Sequence, residues 1–162
     1  MFNLFRKKKS TFEIKAPIRG KCIELEKVND SVFSKKMVGE GFAVVPDDKS
    51  DTVVSPIDGQ VIVLPDSKHA IGIKAKDIEV ELLIHIGLDT VKLAGKGFEA
   101  LVKEGDIVKA GSPLIKLDKL KINKKNYDLT TMVIFTSGYS NEISLGKLSN
   151  SHVNEGQVLL RN

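Results

Sequence analysis

Residues 80–98, VELLIHIGLDTVKLAGKGF, set one histidine inside a run that otherwise reads as a buried strand. Side chains of a strand alternate between its faces, so Leu82, Ile84, Ile86 and Leu88 share one side and Glu81, Leu83, His85 and Gly87 the other. His85 therefore points away from the most apolar stripe. Gly87 has no side chain to cover it, and a glycine in a strand often marks a close approach to the backbone. Two readings stand side by side: a histidine satisfied by a backbone carbonyl, or a histidine at a site.

Outward from this stretch the chain keeps the same texture. CIEL, FAVV, TVVS, QVIVL, AIGIKA, VELLIHI, DTVKL, PLIKL, TMVIF and GQVLL read as strands, punctuated by PDD, DG, PDS, AGKG, KEGD and KAG. Short helical turns are expected at DSVFSKKMV, GFEALVKEG and LDKLKINKKN. Many short strands at close spacing predict an all-β fold, an antiparallel sandwich or barrel with a few helical turns. Residues 16–25, APIRGKCIEL, echo residues 55–64, SPIDGQVIVL, and VKEGDIVKAG echoes VNEGQVLLRN. Two related halves folded into one sandwich follow from that, since a repeat that cannot bury its face alone finds a partner in its copy.

At 162 residues the chain suits one domain and can bury a sizeable core. Its net charge of +4 equals the contribution of Arg6, Lys7, Lys8 and Lys9, so the remainder is formally neutral and is no polyanion binder. Nucleic acid is thereby excluded as a partner. No apolar run approaches bilayer length, and MFNLFRKKKS places its charges after the apolar residues, the reverse of a secretory signal, so the expected location is the cytoplasm. A single Cys22 fits that compartment and reads as a small buried hydrophobe.

His69, in PDSKHAIGI, is the second histidine of interest. Alternation puts it with Ile71 and Ile73, at the mouth of a strand entered from a Pro-Asp-Ser turn. Two histidines on nearby strands could bind zinc, although HxH, HExxH and cysteine pairs are missing. They could serve a hydrolase, although G-x-S-x-G is missing. Or one could carry a group as a nucleophile while the other steadies it. His152, in NSHVNEG, reads as a solvated histidine in a turn.

SPIDGQVIVLPDSKHAIGI, followed by VELLIHIGLDTVKLAGKGFEALVKEGDIVKAGSPLIKLD, resembles the glucose-type enzyme IIA domain of the bacterial phosphoenolpyruvate-dependent sugar phosphotransferase system. HIGLDTV after an apolar strand, the upstream KHA and the G-x-GF-x-A-x-V-x-x-GD-x-V continuation carry the likeness, which runs from about Phe12 to about Leu160. The resemblance implies a duplicated hybrid sandwich over residues 12–162, preceded by a flexible basic tail over residues 1–11. It implies that His85 accepts a phosphoryl group through Nε2 from the phosphohistidine of the carrier HPr and donates it to the IIB domain of a sugar permease, whose membrane part is IIC. The Gly87 carbonyl would hold the proton on Nδ1, His69 would steady the phosphoryl oxygens, and Ser67 would orient the His69 ring. Val32, Phe33, Met37 and Val38 would form an apolar partner surface, with Asp30 and Asp89 at its rim. Core packing is the alternative for the four apolar residues, and turn chemistry for the two aspartates. No metal and no cofactor are expected, and the expected state is a monomer.

The sequence departs from the family pattern in places. The interval between His69 and His85 is one residue longer than usual, with KAKDIEV in place of a glycine-containing turn; Asn126 and Met132 stand where Gly and Pro are common, and Pro65 where an aromatic is frequent. A biotinyl or lipoyl carrier, suggested by EGDIVKAGSPLIKL, lacks its lysine motif, and a zinc peptidase on a related sandwich lacks HxH. Phe2, Leu4 and Phe5 beside four positive charges make the tail a candidate for weak contact with anionic lipid.

Overall fold

The computed structural model describes residues 11–162; the expected tail lies, apart from Thr11, outside the described residues. Thirteen strands are described: β1 Glu13–Lys15, β2 Gly20–Glu24, β3 Gly41–Pro46, β4 Thr52–Val54, β5 Gly59–Val63, β6 Ala70–Ala75, β7 Glu81–Ile86, β8 Phe98–Ala100, β9 Ile107–Val108, β10 Pro113–Leu117, β11 Thr131–Ser137, β12 His152–Val153 and β13 Val158–Arg161. Two short helices, α1 Ser31–Ser34 and α2 Lys119–Asn123, join them.

An eight-stranded antiparallel sheet, in the order β12-β2-β3-β11-β7-β6-β5-β9, packs against the two-stranded sheet β1-β13 and the three-stranded sheet β4-β10-β8. The sheets stay open, so the architecture is a sandwich and not a closed barrel. Alternation places the core: Cys22, Phe42, Val44, Val61, Ile71, Ile73, Leu82, Ile84, Ile86 and Val133 point from the large sheet to meet Ile14, Val53, Ile115 and Leu117 of the small ones. Burial and the neighbouring Glu24 push the Cys22 thiol pKa up to about 12, so it stays protonated and packs as a hydrophobe.

The two halves are related by a pseudo-twofold axis. Lys15 N–H donates to the Pro56 carbonyl at 2.9 Å, and the matching Val54 N–H donates to the Pro17 carbonyl at 2.7 Å. The strand order of the large sheet reads the same way from either end, with Ile84 opposite Val133 at its middle. The second repeat expected from sequence needs a shift. Gly156 N–H donates to Ala16 and Gly111 N–H to Ser55, so VKAGSPLIKL at residues 108–117 is the counterpart of VNEGQVLLRN at residues 153–162. The EG dipeptide of VKEGDIVKAG belongs to the turn before β9, which misaligned the echo.

Three local expectations are corrected. DTVKL is no strand: Thr90–Leu93 form a 3-10 turn between Asp89 (φ 58°) and Ala94 (φ 51°), both left-handed. GFEALVKEG is not helical; Phe98 points inward and Glu99 outward along β8, which pairs with β10. His152 lies in β12 rather than a turn, and its Nε2 is 2.7 Å from Asp47 Oδ2, which also pairs with Arg19.

Candidate functional site

A smaller apolar cluster covers the outer face of the large sheet. Ile23, Leu25, Val28, Phe33, Ala43, Met132 and Ile134 form it, with Leu83 and Leu88 half-buried at its margin. His85 stands on this face, directly opposite Ala70 on β6 and Met132 on β11. It is half-buried, between the fully covered Ile84 and Ile86 whose side chains take the other direction.

His85 Nδ1 is 2.9 Å from the Gly87 carbonyl oxygen. A carbonyl only accepts, so Nδ1 carries the proton and Nε2 keeps its lone pair. Gly87 is required here: its φ is +79°, and a Cβ would lie 2.5 Å from Thr90 Cγ2 and 2.8 Å from the Asp128 carbonyl. Both histidine pKa values are depressed. Burial lowers that of His69; burial and then the neighbouring His69 lower that of His85, against the opposing pull of the Gly87 hydrogen bond and the Asp30 carboxylate. Both rings are neutral near pH 7, and a neutral ring is the nucleophilic one.

His69 does not follow the alternation of β6. Strand pairing starts at Ala70, and the preceding Lys68 has a φ of 53°, so the His69 ring meets His85 rather than joining Ile71 and Ile73 in the core. The two rings are 5.2 Å apart at an angle of 80°. Ser67 Oγ is 2.6 Å from His69 Nδ1, and a turn closed by Lys68 N–H to the Pro65 carbonyl delivers both residues.

Phe33 packs its ring 4.8 Å from that of His85. It rides on α1, whose first turn is capped by Asp30: the carboxylate accepts from Val32 N–H at 2.9 Å. Asp30 thus does turn chemistry and also acts electrostatically on His85. Val32, Met37 and Val38 continue from Phe33 as exposed apolar residues, Met37 at 71% exposure. Lys36 anchors the segment, with Nζ 2.7 Å from Glu26 and 3.1 Å from Glu40. Asp89 is exposed at the start of the 3-10 turn and makes no capping bond. The longer β6–β7 hairpin turns at Asp77, left-handed at φ 65°, at the end of the strands away from both histidines. Asn126 adopts φ 54° where the pattern favours glycine, a conformation asparagine tolerates.

Residues 12–140 match the family described as phosphoenolpyruvate-dependent sugar phosphotransferase system, EIIA 1. The chain belongs to this family. As an EIIA protein it is a phosphotransferase component of the sugar phosphotransferase system and a phosphoryl carrier. It is 41% identical over 160 residues to the glucose-specific EIIA component of Oceanobacillus iheyensis, covering 98% of this chain and 95% of that one. It is 46% identical over 147 residues to the glucoside-specific EIICBA component of Staphylococcus carnosus, covering 91% of this chain but only 20% of that longer protein. The structure of glucose permease IIA from Mycoplasma capricolum superposes with a TM-score of 0.82 at 36% identity, covering 94% of this chain and 96% of that one. This EIIA chain contains no group of three His, Cys, Asp or Glu placed to hold a metal, and no helix long and apolar enough to cross a membrane, among the described residues.

Sequence reading alone missed the groups that hold the site from behind. Thr90, buried, donates its hydroxyl to the Ile86 carbonyl, and Asp128 accepts from both the N–H and the hydroxyl of Thr130.

Proposed function

We propose that His85 is the phosphoryl acceptor of this EIIA protein. The observation that carries the reading is the 2.9 Å contact from Nδ1 to the Gly87 carbonyl, which leaves the Nε2 lone pair free on a half-buried, neutral ring. Nε2 attacks the phosphorus of the phosphohistidine of HPr; the N–P bond to the donor breaks, and its electron pair returns to the donor imidazole. In the second transfer a nucleophile of the IIB domain attacks the same phosphorus; the N–P bond to His85 breaks, and its electron pair returns to Nε2.

His69 supports the transfer. With Ser67 donating its hydroxyl to Nδ1, Nε2 of His69 carries the proton and offers a donor to the phosphoryl oxygens, where charge accumulates. Phe33, Val32, Met37 and Val38 exclude water from the labile N–P bond and meet the partner, while Asp30 and Asp89 face basic partner side chains. The EIICBA relative, with EIIA in one chain with EIIC and EIIB, supports IIB and IIC as partners. The protein acts as a cytoplasmic monomer without metal or cofactor, and the basic residues Arg6–Lys9 meet anionic lipid.

Incubation with phosphoenolpyruvate, enzyme I and HPr, followed by intact mass, tests the reading. One acid-labile phosphoryl group, mapped to His85, is expected; none, or a label elsewhere, overturns it.

A further inference from the structure

The Gly87 carbonyl decides which nitrogen of His85 bears the proton, and the peptide planes around Gly87 are pinned at both ends. A trans peptide is planar, so its C=O and the next N–H point in opposite directions as one rigid unit. In the Gly87–Leu88 plane, the carbonyl accepts from His85 Nδ1–H while Leu88 N–H donates to the Asp128 carbonyl at 2.8 Å. In the Ile86–Gly87 plane, the Ile86 carbonyl accepts from the Thr90 hydroxyl while Gly87 N–H donates to the Thr130 carbonyl at 3.0 Å.

Two of these four anchors come from a single turn, residues 128–130, which leads into β11. The Asp128 carboxylate sets the shape of that turn: Oδ1 accepts from Thr130 N–H at 2.8 Å and from Thr130 Oγ1 at 2.6 Å. An aspartate that bonds its own backbone two residues on is an Asx turn, and it fixes the directions of the carbonyls it encloses. Asp128 itself is exposed, while Leu129 and Thr130 are buried beneath it.

We infer that Asp128 is a positioning residue for phosphoryl transfer: its carboxylate locks the 128–130 turn, the turn orients the Gly87–Leu88 peptide, and that peptide holds His85 in the tautomer whose Nε2 is the nucleophile. The inference rests on the assignment of His85 as acceptor, but its structural half is measurable without any phosphoryl donor.

Ring 15N chemical shifts of His85 in the unphosphorylated full chain report the tautomer directly. Asp128→Ala frees the turn, and the Nε2–H form of His85 is expected to rise relative to wild type by roughly five-fold, the size of effect that weakening one hydrogen bond produces. Phosphorylation by HPr slows in the same variant. Asp128→Asn keeps an acceptor oxygen in the same place and restores both readouts, which a loss of bulk stability does not explain. The Thr130→Val variant removes only the hydroxyl bond and produces a smaller shift of the same sign. Unchanged His85 shifts in folded Asp128→Ala overturn the inference whatever the phosphorylation data say. A wild-type protein that shows the Nδ1–H tautomer but accepts no phosphate overturns the acceptor assignment instead.

Discussion

The His69 and His85 rings meet edge-on, 5.2 Å apart at 80°, each with its Nδ1 already engaged by a neighbour two residues away in sequence. Both Nε2 atoms are thereby left for a group placed between them. His69→Gln retains an amide donor of similar reach, and the lone pair of His85 does not depend on it. The variant is expected to accept a phosphoryl group but to donate it about a hundred-fold more slowly, since charge on the departing group loses a well-placed donor. Rapid-quench measurement of both half-reactions checks this; a wild-type donation rate rejects the division of roles.

His85→Ala is expected to abolish labelling while lowering stability by only about 1 kcal/mol, because the ring lies half-buried on the outer face and leaves no unpaired charge behind. Intact mass and urea unfolding read the two effects separately.

The depressed pKa of His85 sets the sign of a pH effect. Its ring stays neutral below the ordinary imidazole value of 6.5, so phosphoryl acceptance should hold as pH falls through 6.5 and decline only at more acidic pH. Stability follows the linked equilibrium: the unfolded chain takes up this proton at higher pH than the folded one, so folding weakens as pH drops below 6.5. Removing the ring in His85→Ala should flatten that decline, as measured by melting temperature across pH 4 to 8, a range of about four units chosen around the free imidazole pKa.

Gly87→Ala introduces a Cβ against Thr90 and the Asp128 carbonyl at a left-handed φ. A loss of about 2 kcal/mol or more is expected, together with a shifted His85 tautomer, because the clash moves the very carbonyl that fixes it. Thermal melting and ring 15N shifts provide the check.

Met37→Glu changes an exposed side chain that packs on nothing in the core. Stability should stay within about 0.5 kcal/mol, while the KM for HPr in the labelling reaction rises several-fold, as a charge on the apolar surface opposes docking. An unchanged KM removes Met37 from the partner surface.

Most strands were legible because one face of each is apolar and the period of two survives in ELLIHI, GQVIV and AIGIKA. FAVV obscured its two faces, since Phe42 and Val44 fill the main core while Ala43 lies under the outer cluster, and both sides are covered. The histidine pair came forward through family resemblance rather than periodicity, which put His69 on the wrong side. Asp128, Thr130 and Thr90 gave no signal: each acts through a side-chain bond to backbone, and in sequence such residues look like ordinary turn formers.

The internal twofold relation distributes chemistry unequally. Rotation about the axis between Ile84 and Val133 carries Ile86 N–H and its acceptor His69 onto Phe135 N–H and its acceptor Glu40, and carries His85 onto Ile134. The twin location therefore holds Ile134 in place of His85, and Glu40, tied to Lys36, in place of His69. In the joined chain one location carries the two imidazoles, while at the other Glu40 holds Lys36, and so anchors the segment whose Phe33 leans on His85.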